Sequence, residues 1–144
     1  MVEFKDFYDL LKENLESYTG DYEKFIDYGP ELFKLLTEIL NNEKLGANER
    51  LKVNAAIAYF VVPYDIIPEQ IYGPYGYVDD IYLCTYVLKE ILNVYGYEIL
   101  SEKWDFDDDL QKILELCYIK SKKIVGEDAK AILIYSGLIE PNSD

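Results

Sequence analysis

Four carboxylates stand close together in this chain with no cation beside them: Asp65, Glu69, Asp79 and Asp80 fall between Lys52 and Lys89, an interval without lysine or arginine. They belong to Pro63-Tyr64-Asp65-Ile66-Ile67-Pro68 and to Gly76-Tyr77-Val78-Asp79-Asp80, which follows eight residues later. Like charges crowded into a partly buried place raise one another's pKa or recruit a cation. The chemistry open to such a group is that of a hard, all-oxygen site. In it Asp65, Asp79 and Asp80 would hold Mg, Mn or Ca, helped by the carbonyls of Gly73-Pro74-Tyr75-Gly76. With Glu69 activating a water, the same set would make a metal-dependent phosphoester hydrolase, although no basic residue stands nearby in sequence to hold a phosphate. The same acids also have structural work open to them. Asp65 would accept backbone N–H bonds in a turn ended by Pro68. Asp79 would N-cap a helix and Asp80 would sit in its first turn, these two each contributing about 0.5–2 kcal/mol. A third role is contact with a partner. Capping explains each acid separately, but not why they cluster.

The rest of the composition removes whole classes of chemistry. Histidine is absent, and with it the Ser-His-Asp and Cys-His mechanisms, histidine-ligated zinc and the commonest general base at neutral pH. Cys84 lies in an apolar helical pattern with no activating base, and with Cys117 it reads as a buried thiol in a reduced compartment. A net charge of −14, from 28 acids against 14 bases, disfavours nucleic-acid phosphates and anionic lipid. It suits solubility, a basic protein partner, a cation, or mimicry of nucleic-acid charge. Tyr64, Tyr72, Tyr75, Tyr77 and Tyr82 would form a recognition surface or, more in keeping with tyrosine elsewhere, bury their rings and hydrogen-bond their hydroxyls.

The elements that must position these residues are helical. Phe4, Phe7, Tyr8, Leu11, Leu15 and Tyr18 mark an amphipathic helix ending near Gly20. Gly29-Pro30 breaks the next segment, and Leu32, Leu35, Leu36, Ile39 and Leu40 predict a second, outer helix. Asn48 is the expected N-cap of a helix over 49–62 that is apolar nearly all round and therefore central; Pro63 stops it. A second buried helix runs over 79–95. Asp107 is the expected N-cap of a helix whose buried stripe is Leu110, Ile113, Leu114, Cys117 and Ile124, with Lys120, Lys122 and Lys123 in its last turn and Gly126 closing it. A short helix follows through Ile132, Leu133 and Tyr135 to Gly137. The longest uncharged run, Val53 to Tyr64, falls short of the roughly 17–25 residues that cross a bilayer.

With these residues laid out, Tyr59-Phe60-Val61-Val62-Pro63-Tyr64-Asp65-Ile66-Ile67-Pro68 and Gly76-Tyr77-Val78-Asp79-Asp80 resemble the YkvA-like family, a bacterial and archaeal domain of unknown function. The resemblance covers residues 53–92. It implies an α-helical hairpin with Pro63, Asp65, Pro68, Gly76, Asp79 and Asp80 at the motif positions, and it supplies no activity. Glu69 departs from it, since the family usually carries aspartate after the second proline.

The expectation is an all-α protein: one compact domain over 1–140, six to seven helices around the 49–62 and 79–95 pair, and a loose tail over 141–144. Its work is expected to be non-enzymatic binding or regulation through the 63–80 loop, with Pro63, Asp65, Pro68, Glu69, Gly76, Tyr77, Asp79 and Asp80 as contact residues. The rivals are the metal-dependent hydrolase and an acidic nucleic-acid mimic. No cofactor is expected unless the acids hold Mg, Mn or Ca. The partner would be a protein, a basic one by charge, with neither nucleic acid nor membrane bound, and an exposed apolar face would make a homodimer. A charged, helical N-terminus without a leader pattern places the protein in the cytoplasm.

Overall fold

Apolar residues recur along the chain at three- and four-residue steps, and the elements they form are helices. The computed structural model describes residues 7–16, 24–61, 77–104 and 109–139. These form α1 (Phe7–Glu16), a 3-10 segment (Lys24–Tyr28), α2 (Gly29–Ile39), α3 (Ala47–Val61), α4 (Val78–Tyr95), the single turn α5 (Glu98–Ser101), α6 (Leu110–Val125), a 3-10 turn (Gly126–Asp128) and α7 (Ala129–Tyr135). No strand occurs among the described residues, so the class is all-α, as the spacing predicts.

Helix α4 is the axis of the packing. Every residue from Val78 to Thr85 is buried, as are Val87, Leu88 and Ile91, because neighbours close on it from several sides: α3, α6 and α2 most extensively, α5 and α7 at its ends. Helix α3 runs antiparallel to it, with Lys52 Nζ 2.8 Å from Glu90 at one end and the Tyr59 hydroxyl 2.7 Å from Asp79 at the other. Helix α6 is antiparallel as well, tied by Lys89 to Glu115 at 3.1 Å and by Tyr82 stacked on Tyr118 at 5.9 Å.

The expected hairpin is therefore present as α3 and α4, but its two members are not equally internal. Of α3's apolar run only Val53, Ala56 and Tyr59 are buried among the described side chains, while Leu51 is 68% exposed and Ala58 also faces solvent. Much of that run is alanine, which gains little from burial, so packing favours larger side chains for the centre. Helix α2, expected on the outside, is instead internal: none of its residues is exposed, and Leu32, Leu35, Leu36 and Ile39 are fully buried. Its outer side is covered by α1, where the Tyr8 hydroxyl donates to Glu31 and the Tyr8 ring lies under Lys34. Each buried Leu or Ile contributes roughly 1.5–3 kcal/mol.

Several helix ends also differ from expectation. Asn48 lies inside α3 and is not its cap; the Gly46 carbonyl accepts the first helical bond from Arg50 N, while Gly46 N donates to the Tyr95 hydroxyl at 2.9 Å. The cap of α6 is Asp109, whose side chain accepts from Gln111 N at 2.9 Å and Lys112 N at 3.4 Å; Asp107 and Asp108 lie outside the described residues. Ile124 is 38% exposed, and Ser121 and Val125 continue the buried stripe from Cys117 at four-residue steps. Gly96 and Gly126 end α4 and α6 at φ +89° and +52°, where a side chain would be strained. One side chain organises the α2–α3 connection: Arg50 donates to the carbonyls of Leu40, Asn42 and Leu45 at 3.1, 2.8 and 3.1 Å. No helix among the described residues is long and apolar enough to cross a membrane.

Candidate functional site

The acidic cluster meets the described structure at the first turn of α4. Tyr77 holds the N-cap position in helical geometry with no side-chain bond to the helix, so Asp79 is not the cap; both aspartates lie in the first turn. There the helix dipole favours negative charge. What sets these acids apart is that both are 0% exposed. Asp79 Oδ2 accepts from the Tyr59 hydroxyl at 2.7 Å, and Oδ1 accepts from the Asp80 amide at 3.0 Å. A short bond from hydroxyl to carboxylate inside a protein is among the stronger single contacts a fold makes. This one fastens the C-terminal part of α3 to the start of α4. The Tyr59 ring meets Tyr135 edge-on at 5.8 Å, which brings α7 to the same place.

Asp80 lies one turn before Cys84 on the same side of α4. Burial raises the Cys84 thiol well above its ordinary 9.0, with Cys117 and then Asp80 adding to it. Burial alone pushes Cys117 up to about 12, and its thiol donates to the Phe25 carbonyl at 3.8 Å. Both thiols are free and remain protonated at neutral pH, which removes nucleophilic chemistry here.

The tyrosines divide. Tyr82 is buried, stacked on Tyr118 and tilted against Tyr86, and desolvation pushes its hydroxyl up to about 12. Tyr77 is half-buried against the core. Tyr64, Tyr72 and Tyr75 lie outside the described residues, as do Pro63, Asp65, Pro68, Glu69 and Gly76. Of the proposed metal ligands, the described structure thus holds Asp79 and Asp80, side by side in the core. Among the described residues there is no group of three or more His, Cys, Asp or Glu side chains that could hold a metal.

A second surface lies apart from the acidic motif. On α6 the side opposite the core presents Lys112, Leu116, Ile119 and Lys123, all exposed, with Leu116 at 41% and Ile119 at 57%. The helix carries four lysines against the single acid Glu115. The signal was legible, because Leu116 and Ile119 fall off the buried stripe of their own helix.

Comparison with known proteins yields two matches. A family model described as "Protein of unknown function (DUF1232)" matches residues 49–86, which hold all but the first two residues of α3 and the first half of α4. The "Uncharacterized protein ORF9" of Methanothermobacter thermautotrophicus is 39% identical over 129 residues, covering 90% of this chain and 88% of that protein. No solved structure matches.

Proposed function

The chain belongs to one family with the archaeal protein ORF9, and from that premise we propose that it is a small acidic binding module and not an enzyme. The Pro63, Asp65, Pro68 and Gly76, Asp79, Asp80 pattern supports reading that family as YkvA-like. The observation that carries the binding reading is the exposed side of α6. Leu116 and Ile119 stand in solvent between Lys112 and Lys123, a net-basic helix in a chain of charge −14. Apolar side chains flanked by lysines favour a partner segment that is apolar in its middle and acidic at its ends. Two aspartates of the 63–80 segment take the opposite part: Asp79 and Asp80 face inward, and Asp79 ties α4 to α3.

Paired baits test the reading. Wild-type protein and a Leu116→Glu/Ile119→Glu variant are used for capture from native lysate. A partner retained by the wild type and lost by the variant is expected; identical catches from both, or none from either, would overturn it.

The second reading, a divalent-metal-dependent phosphoester hydrolase, is favoured by one observation: two neighbouring carboxylates with no exposure. A cation held by Asp79, Asp80 and Asp65 and present at 100 times its dissociation constant would stabilise the fold by about 2.7 kcal/mol. Melting chelator-treated protein with Mg, Mn or Ca measures this. A rise abolished by Asp80→Asn supports the hydrolase; no rise assigns the acids to the fold.

A further inference from the structure

The exposed side of α3 is uncharged. Among its described side chains the exposed ones are Ala47, Asn48, Leu51, Asn54 and Ala58, in a chain where Asp, Glu, Lys and Arg make up 29% of residues and would normally claim one or two of five such places. Leu51, at 68%, is the most exposed large apolar side chain among the described residues. The basic neighbours are drawn away from this side: Arg50 spends its guanidinium on three backbone carbonyls, and Lys52 is held by Glu90. Ala47, Leu51, Asn54 and Ala58 follow one another at steps of four, three and four, which places them on one line along the helix, opposite the inward-facing Val53 and Ala56.

We infer that this line is the seam of a homodimer, in which α3 packs antiparallel against α3 of a second copy. Charge chooses the occupant. Two copies carrying −14 each repel, and a twofold contact sets one face against a copy of itself, so a face of one net sign meets that same sign again. The neutral face of α3 escapes that penalty. A partner recruited by charge finds nothing to read there, whereas the α6 face offers it lysines. The register also suits a twofold. Because the steps read the same in both directions, an axis between Leu51 and Asn54 sets Ala47 opposite Ala58 of the second copy and Leu51 opposite its Asn54. Alanine at both ends allows close approach of the helices, and antiparallel packing sets opposite dipole ends together. From Ala47 to Ala58 the seam is about 17 Å long. That is a small interface, so the dimer should be weak, with a dissociation constant on the order of 10–100 μM.

Sedimentation equilibrium across that concentration range tests it. The wild type should move from one to two chain masses with concentration. Leu51→Glu should remain at one mass with an unchanged circular-dichroism spectrum, and Leu116→Glu, on α6, should still dimerise. Cysteine pairing then tests the register: a mixture of Ala47→Cys and Ala58→Cys chains should form the mixed disulfide, while Ala47→Cys alone should not, its two copies lying about 17 Å apart along the seam. A wild type that stays at one mass throughout, a dimer that survives Leu51→Glu, or self-linking of Ala47→Cys would each overturn the inference.

Discussion

Helix α4 carries aspartates in its first turn and α6 carries one at its N-cap, and the two helix starts work by different physics. Asp109 stands in solvent and does what a helix end locally requires, accepting from Gln111 N and Lys112 N. Asp79 and Asp80 stand in the core, and Asp79 accepts from the Tyr59 hydroxyl, twenty positions away. Hydration supports the first turn of α6; the first turn of α4 depends on tertiary partners, because a carboxylate removed from water is costly unless neighbours replace the water. The same residue type is thus an interchangeable cap in one place and a specific fastening in the other.

This contrast can be broken most forcefully at Asp79. Asp79→Ala leaves the buried Tyr59 hydroxyl without its acceptor and opens a small void, and should cost about 3 kcal/mol in urea unfolding. A loss under about 1 kcal/mol would mean the two first turns are alike after all. Tyr59→Phe removes the donor from the other side and should cost about 2 kcal/mol. A double-mutant cycle with Asp79→Ala should return a coupling of about 1 kcal/mol or more, whereas no coupling would show that the two side chains act separately.

Alkali sharpens the comparison next. Cys84 and Cys117 have folded pKa values raised above 9.0, so the stability they contribute is complete below that pH and is lost as pH climbs toward the folded values, about 12 for Cys117. Unfolding free energy should therefore fall from about pH 9 by about 1.4 kcal/mol per pH unit for each thiol. Tyr82, raised from 10.0 to about 12, adds to the decline above pH 10. Chemical unfolding from pH 8 to 10.5 should show a shallower fall in Cys117→Ala, even though that variant starts less stable; equal slopes would remove thiol burial as the cause. The smallest effect belongs to the exposed turn. Asp109→Ala should cost about 1 kcal/mol and Asp109→Asn less than half of that, read from thermal melts, because asparagine caps almost as well.

How much of this was legible follows from what each residue depends on. The core stripes of α4 and α6 were plain because large apolar residues at helical steps admit few other arrangements, and Gly96 and Gly126 end those helices where expected. Asp107 competes with Asp109 for the cap in the sequence because aspartate occupies positions 105 and 107 to 109; Leu110, which must enter the core, decides between them. The inward turn of Asp80 had a signal, since it stands four and eight residues before Cys84 and Leu88, both fully buried. Aspartate's habit of capping helices masked it. The interior place of α2 was not legible, because an amphipathic stripe says which side is buried and not what lies over the other. The tie from Tyr59 to Asp79 links two helices across a long connection, a pairing that no local pattern encodes.

Arg50 carries a consequence for the order of events as the chain folds. The last carbonyls around the end of α2 are satisfied by a side chain ten positions downstream, so that end is finished only once α3 has begun. Closing a loop of that length takes about 10–100 ns, which makes the α2–α3 corner a cheap early contact. The clasp between Tyr59 and Asp79 and the stacking of Tyr82 on Tyr118 span 20 and 36 positions, so their longer loops cost more to close than this corner does.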